Sequence, residues 1–383
     1  MHPLIDAEKQ KLAKKYHDDN LRVSIASYVA SAILLFALLC FNISKNYDVQ
    51  LMQITHLRVL VILLYFTALY IAYTVISFPF SYWSDYRLEH KYDFSTQNFR
   101  QWLSDEIKSF LVGFILGLIV FEAIYLITKV APYYWWLWLS LIMITFSVVI
   151  ANLFPVLILP LFYKTSPIEN ESLKIRIAQI CQSAGMSVQG VFSINLSSKS
   201  TKANAAVVGL GNTKKILLGD TLINNYTEDE IVATLAHELT HYKEHHIWWL
   251  ILWQALITLT MFFIFSLVSQ YFYRLAGFNH VSEIAAFPLF SMIFVVLSAI
   301  SRPLGSSLSR FYERKADLGA LDLAKNADAY ISLMAKFCND QLTIAYPNAF
   351  VEWYKYSHPS PGKRIEFAEK WKRNSIDSSP KAL

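Results

Sequence analysis

Long uncharged stretches recur along the chain at the length of a membrane crossing. Val23 to Ser44, Val59 to Ser84, Val130 to Tyr163, Ile247 to Tyr273 and Ile284 to Ser301 contain no Asp, Glu, Lys or Arg, and Ser109 to Thr128 is interrupted only by Glu122. A helix needs about 20 apolar residues to cross the hydrocarbon. The pattern therefore predicts six spans, over 23–44, 59–84, 109–128, 134–160, 247–273 and 284–302. Pro155 and Pro160 mark the exit of the fourth span or a kink in it, so the run from 130 to 163 counts once. The first run is too long for the core of a cleaved signal peptide and lacks a small-x-small cleavage site after it.

The segment between the fourth and fifth spans changes period. Asn170 to Ser183 repeats as a helix and stops near Gly185, while Val191 to Asn195, Ala205 to Val208 and Lys215 to Leu218 are short strand-like runs cut by Gly and Ser. Thr227 followed by Glu230 is a capping box, so a helix is expected to start there and run through Ile231 to His246. Past Ser309 come another helical region, a Pro-punctuated loop at His358 to Gly362 and a last amphipathic helix. The expected fold class is membrane α-helical with an α+β unit attached. Residues 1–163 form an N-terminal membrane domain of four spans, and residues 164–383 a second domain that includes two more.

Composition sharpens this picture. The 383 residues are 55% hydrophobic and only 16% charged, too little charge to clothe one or two soluble domains. Three scattered cysteines exclude a disulfide framework and a Cys-rich metal site. The net charge of +5 is spread without basic blocks, which argues against nucleic acid as a partner. Between the spans, Lys45, Arg58, Lys129 and Arg274 fall on one side of the membrane and the other basic residues on the opposite side, so both termini and the polar segment are expected in the cytoplasm. Glu122 is the one acid inside a span, and it should face protein or water, or serve as a neutral packing hydrogen-bond partner.

The chemistry concentrates at His237-Glu238-Leu239-Thr240-His241. Two imidazoles four apart lie on one helix face and can hold one zinc, with Glu238 placed to act on a metal-bound water. Composition alone yields about 0.01 such matches in a chain of this length, so the pattern is not an accident of residue usage. A catalytic zinc takes a third protein ligand. Glu244 and Ile247 stand where the metzincin arrangement requires Gly and His, which excludes that class. His245 along a straight helix would point past the metal and reads as a surface or interfacial residue. The alternative is a carboxylate from a later helix: Glu313 is suited to the metal, with Asp317 one turn on to accept a hydrogen bond from the far nitrogen of His237.

These residues resemble the zinc-dependent type I C-a-a-X prenyl endopeptidases and their bacterial relatives, membrane metalloproteases of gluzincin type. The likeness covers most of the chain. It includes Phe78-Pro79-Phe80-Ser81, Pro160-Leu161-Phe162 with Thr165 and Pro167, Asn204-Ala205 before Gly209, Gly219-Asp220-Thr221-Leu222, Glu313 with Ala316-Asp317, and Ser357-His358-Pro359 with Arg364. The resemblance implies a catalytic unit on a ring of membrane helices around an intramembrane chamber. It implies one zinc per chain on His237, His241 and Glu313, with Glu238 as general base and His358 and Arg364 stabilising the transition state. Asn204 and Ala205 would open the strand on which substrate adds by β-augmentation. The likeness begins at the second of the seven spans of eukaryotic members, so the chamber is expected to lack a wall helix or close differently. Lys202 stands where the family often has a histidine.

The activity so implied is zinc-dependent hydrolysis of peptide bonds: removal of a C-terminal tripeptide after a prenylated cysteine, or related processing of membrane proteins, in a bacterial inner membrane. Two other readings stay open: a quality-control protease of HtpX type without prenyl specificity, and a zinc-binding scaffold or transporter that hydrolyses nothing. The partners expected are a peptide or protein substrate, prenylated or not, and the lipid bilayer. The oligomeric state is left open.

Overall fold

The computed structural model describes residues 2–186, 188–209 and 214–377. Within them six helices are long and apolar enough to cross a membrane: Ala7–Cys40, Arg58–Lys91, Phe99–Val130, Trp135–Phe162, His246–Leu275 and Ile284–Ala324. None of the apolar window of Trp135–Phe162 is fully buried inside the protein, so apolar surface on this helix remains uncovered by the described residues. Glu122, half-buried, sits on Phe99–Val130.

Helix bounds differ from the apolar runs, because charged residues also join helices. The first helix starts at Ala7, where Asp6 accepts from the amides of Glu8 and Lys9, and ends at Cys40, two residues before Asn42 takes the left-handed conformation (φ 53°). A short helix, Ile43–Ile54, follows instead of the last residues of the expected span. Pro155 does not end its helix: a π turn, Phe154–Ile158, carries the chain on to Phe162. Pro303 likewise lies inside one unbroken helix, Phe287–Ala324. The amide it lacks would have donated to Ala299 O, and that carbonyl accepts from the Tyr354 hydroxyl at 3.0 Å instead. The last span and the helical region expected after Ser309 are thus a single rod.

The polar segment forms a four-stranded sheet in the order β1-β2-β4-β3. β1 (Thr165–Pro167) runs antiparallel to β2 (Gly190–Ile194), which is parallel to β4 (Lys215–Gly219). β3 (Ala205–Val208) is antiparallel to β4, with Ala205 opposite Leu218, and forms one edge. The three runs expected as strands are strands. β1 went unpredicted because three residues carry no period, and its proline is tolerated at a sheet edge.

Helix Glu228–Lys243 begins as expected, Thr227 and Glu230 capping each other's amides, but stops three residues before His246. His245 takes φ 56°, and a new helix, His246–Leu275, leaves in another direction. Ile231, Leu235 and Leu239, about one turn apart, seal its inner face against Ile177, Ile216, Leu218 and Leu222. On another side it packs against Phe287–Ala324 at close range, since a Cβ on Gly319 would lie 2.3 Å from Thr240 Cγ2.

Candidate active site

One turn of Glu228–Lys243 sets the His237 and His241 Nε2 atoms 3.2 Å apart. Glu313, from the neighbouring rod, reaches His237 Nε2 at 3.0 Å through Oε2 and His241 Nε2 at 3.5 Å through Oε1. Among the described residues these three are the His/Cys/Asp/Glu group whose ligand atoms converge tightly enough for one metal ion. Asp317 lies one turn past Glu313, its Oδ1 3.0 Å from His237 Nδ1. The Tyr330 hydroxyl (2.5 Å) and Arg364 (2.6 Å) also donate to that oxygen.

The chemistry of this donor set fits a metal ion. With the Nδ1 proton of His237 donated to Asp317, its Nε2 presents a lone pair toward another imidazole nitrogen and a carboxylate. Those groups repel one another unless something positive lies between them. Glu313 Oε2 is buried and lacks a hydrogen bond of good geometry, although His237 Nε2 and His358 Nε2 stand 3.0 and 3.2 Å away. Separations of 3.0–3.5 Å between the two Nε2 atoms and from each to its nearer Glu313 oxygen are of the size expected for donors each about 2.0–2.1 Å from one ion.

Glu238 borders the same cavity of about 160 Å³, together with Asn204, Ala205, His237, His358 and Arg364. Burial pushes the Glu238 carboxyl up, against the pull of His237 and His241. Partial desolvation in the cavity wall lowers His358, against the pull of Glu313. Arg364 is deeply buried, which opposes its charge, but the Asp317 carboxylate outweighs that and holds it protonated. Its Nε and one terminal nitrogen are engaged by Asp317, so those donors are spent on the carboxylate behind His237. Asn204 accepts from Gly219 N through its backbone carbonyl at 2.9 Å, closing the sheet where β3 enters the cavity wall. The Lys202 ammonium bonds Glu89 Oε2 at 2.7 Å and the Tyr16 hydroxyl at 3.0 Å, tying β3's approach to the second membrane-crossing helix.

Of the residues expected at the site, Asn204, Ala205, His237, Glu238, His358 and Arg364 line one cavity, and His241, Glu313 and Asp317 approach His237 from behind it; His245 is exposed. His246 was missed. It is buried, its Nδ1 is 3.2 Å from His241 Nδ1, and its ring packs on Tyr312 at 4.7 Å. Five positions past His241 on a continuous helix it would point about 140° away. Only the left-handed turn at His245 swings it back, and no periodicity signals that turn.

A His-Glu-x-x-His helix completed by a glutamate from a membrane-crossing rod makes this an integral-membrane metallopeptidase. Residues 167–372 match the profile of peptidase family M48, and residues 1–164 match that of the N-terminal region of CAAX prenyl proteases, described as five membrane helices; among the described residues of that stretch four helices are long and apolar enough to cross. The chain belongs to family M48 and is a multi-pass membrane metalloprotease of the CAAX prenyl protease 1 type. It is 29% identical over 341 residues to the uncharacterized metalloprotease YhfN of Bacillus subtilis, covering 88% of this chain and 80% of that one. It is 29% identical to CAAX prenyl protease 1 of Saccharomyces cerevisiae, covering 76% and 68%. Its fold matches the crystal structure of S. mikatae Ste24p with a TM-score of 0.85 at 24% identity, over 96% of this chain and 90% of that one.

Proposed function

We propose that the protein is a zinc endopeptidase that trims C-a-a-X-like C-termini of membrane-attached substrates, with residues 1–163 forming the membrane half and 164–383 the catalytic half. The observation that carries this reading is the convergence of His237, His241 and Glu313 beside Glu238, in a cavity bordered by the edge strand β3. His237, His241 and Glu313 would hold the zinc. When bound, zinc supplies a Lewis acid and a water acidified toward neutrality.

The chain's own groups do the rest. A substrate in extended form lies along β3 at Asn204 and Ala205, which orders the scissile amide toward Glu238. Glu238 removes the proton of the attacking water and returns it to the leaving amine. The His358 ring donates to the oxygen on which negative charge develops. Arg364 and Tyr330 clamp Asp317, which fixes the tautomer and tilt of His237. With a metal on His241 Nε2, the His241 Nδ1 proton would point at His246 Nδ1, 3.2 Å away, which orients the second ring in the same way. The distribution of Lys and Arg supports a site and both termini on the cytoplasmic side, and the YhfN likeness supports a bacterial inner membrane.

The test is metal analysis of detergent-purified protein paired with cleavage of a farnesylated C-a-a-X peptide, its unprenylated twin and an unfolded membrane protein. One zinc per chain and chelator-sensitive loss of three residues from the farnesylated peptide are expected. Preference for the unfolded protein would make it a quality-control protease, and zinc without hydrolysis of any substrate would make it a binder.

A further inference from the structure

Beside the last membrane-crossing rod lies an apolar surface that the described residues leave uncovered. Val296, Ile300, Leu304 and Phe311 are exposed on Phe287–Ala324 at spacings of four, four and seven, a single face of the helix that starts within the span and continues past it. A shallow groove of about 420 Å³ continues this face between Trp253 and Trp353. Trp353 belongs to the short helix Ala349–Lys355, where Phe350 is 66% and Trp353 49% exposed. That helix is fastened to the rod: Tyr354 donates to Ala299 O at 3.0 Å, and Arg310 donates to the carbonyls of Glu352 and Tyr356 at 3.1 and 2.6 Å.

Cations rim the aromatic surface. Arg302 stands over the Tyr354 ring at 5.8 Å and Lys315 over the Phe311 ring at 4.7 Å, while Lys355 is exposed at the end of the short helix. Aromatics at the end of a span, flanked by Lys and Arg, are the pattern of a polypeptide surface seated at the level of lipid headgroups. We propose that helix Ala349–Lys355 is a membrane-interface anchor, its occupant the phospholipid of the adjoining leaflet, with acyl chains in the groove and phosphates on Lys315 and Lys355. Continuity with the lipid-facing side of the span and charge complementarity with an anionic headgroup carry the assignment.

The anchor leads straight to the site. Glu352 accepts from Ser360 N at 3.1 Å and from Lys363 at 2.7 Å, so the far end of the loop bearing His358 is bolted to the seated helix, while Arg310 of the rod holds its near end at Tyr356 O. Bilayer contact then holds His358 over Glu313; this consequence rests on the role given to His358 above, whereas the anchor itself does not.

The test separates the two. Nitroxide labels on Phe350→Cys and Trp353→Cys, in full-length zinc-loaded protein carrying Cys40→Ser, are measured in nanodiscs of phosphatidylglycerol and phosphatidylethanolamine; the remaining cysteines are buried. Collisions with oxygen should exceed collisions with a water-soluble nickel chelate at both positions, and the reverse should hold for Glu171→Cys. Equal access of the chelate to positions 350, 353 and 171 overturns the anchor. So does exclusion of the chelate only after a farnesylated peptide is added, which would make the groove a seat for substrate. For the coupling, Phe350→Ser with Trp353→Ser should lose hydrolysis several-fold in nanodiscs and none in detergent, and Phe350→Leu with Trp353→Leu should restore it; equal loss in both media overturns the coupling.

Discussion

Helix Glu228–Lys243 is 16 residues long, closed by a capping box at one end and a left-handed turn at the other, and enclosed by sheet and helices. Helix Phe287–Ala324 is 38 residues long, crosses the apolar layer, passes an internal proline and brings Glu313 and Asp317 to the first helix. The short helix carries two metal-ligand candidates and the candidate base through local spacing alone. The rod contributes by position, so everything it offers depends on how the two helices register. Where Gly319 meets Thr240, a side chain on the glycine would overlap the threonine. The lesson is that a local motif supplies donors, whereas a close helix contact decides whether they share one ion.

Breaking the rod's contribution should have the largest effect. Glu313→Ala should lose both stoichiometric zinc and hydrolysis, measured by metal analysis and peptide cleavage. If it retains both, the rod is not part of the centre. Glu238→Gln, on the short helix, should lower kcat/KM by about 10²–10⁴-fold and keep one zinc per chain, because the base acts on the proton and not on the metal. Asp317→Asn should weaken zinc binding by about 10–100-fold in a competition titration with a chelator, since His237 loses its orienting acceptor.

Smaller changes probe the register itself. Gly319→Ala should destabilise by about 1–3 kcal/mol through overpacking against Thr240 and weaken zinc in parallel. Gly305→Ala on the same rod, with nothing within 4 Å of a new Cβ, should leave the melting temperature unchanged or slightly raised. Equal melting temperatures for the two variants would refute the close-contact account. Thr227→Ala removes only a cap and should cost about 1 kcal/mol with zinc affinity intact.

Much of the fold was legible because its signals are short-range. Unbroken apolar runs located six spans, Thr227 and Glu230 located the start of the short helix, and two histidines four apart declared a shared face. Other features left no local trace. Pro303 reads as a helix stop, and the carbonyl it frees, Ala299 O, is satisfied by Tyr354, 55 residues after Ala299. β1 is too short to show a period. His246 is invisible for the reason that makes it useful, a backbone turn at a residue other than glycine.

Residue order by itself determined which atoms are chemically able to serve: the imidazole pair, Glu238, and a Glu and Asp one turn apart. Helix pitch and the cost of charge in lipid settle those matters without reference to distant residues. Only the tertiary structure decided that Glu313 comes within 3.0 Å of His237, that Arg364 is engaged by Asp317, and that His358 stands over Glu313. Such distances belong to packing, because groups up to 127 residues apart meet only where buried side chains leave a single arrangement without overlap or an uncompensated charge.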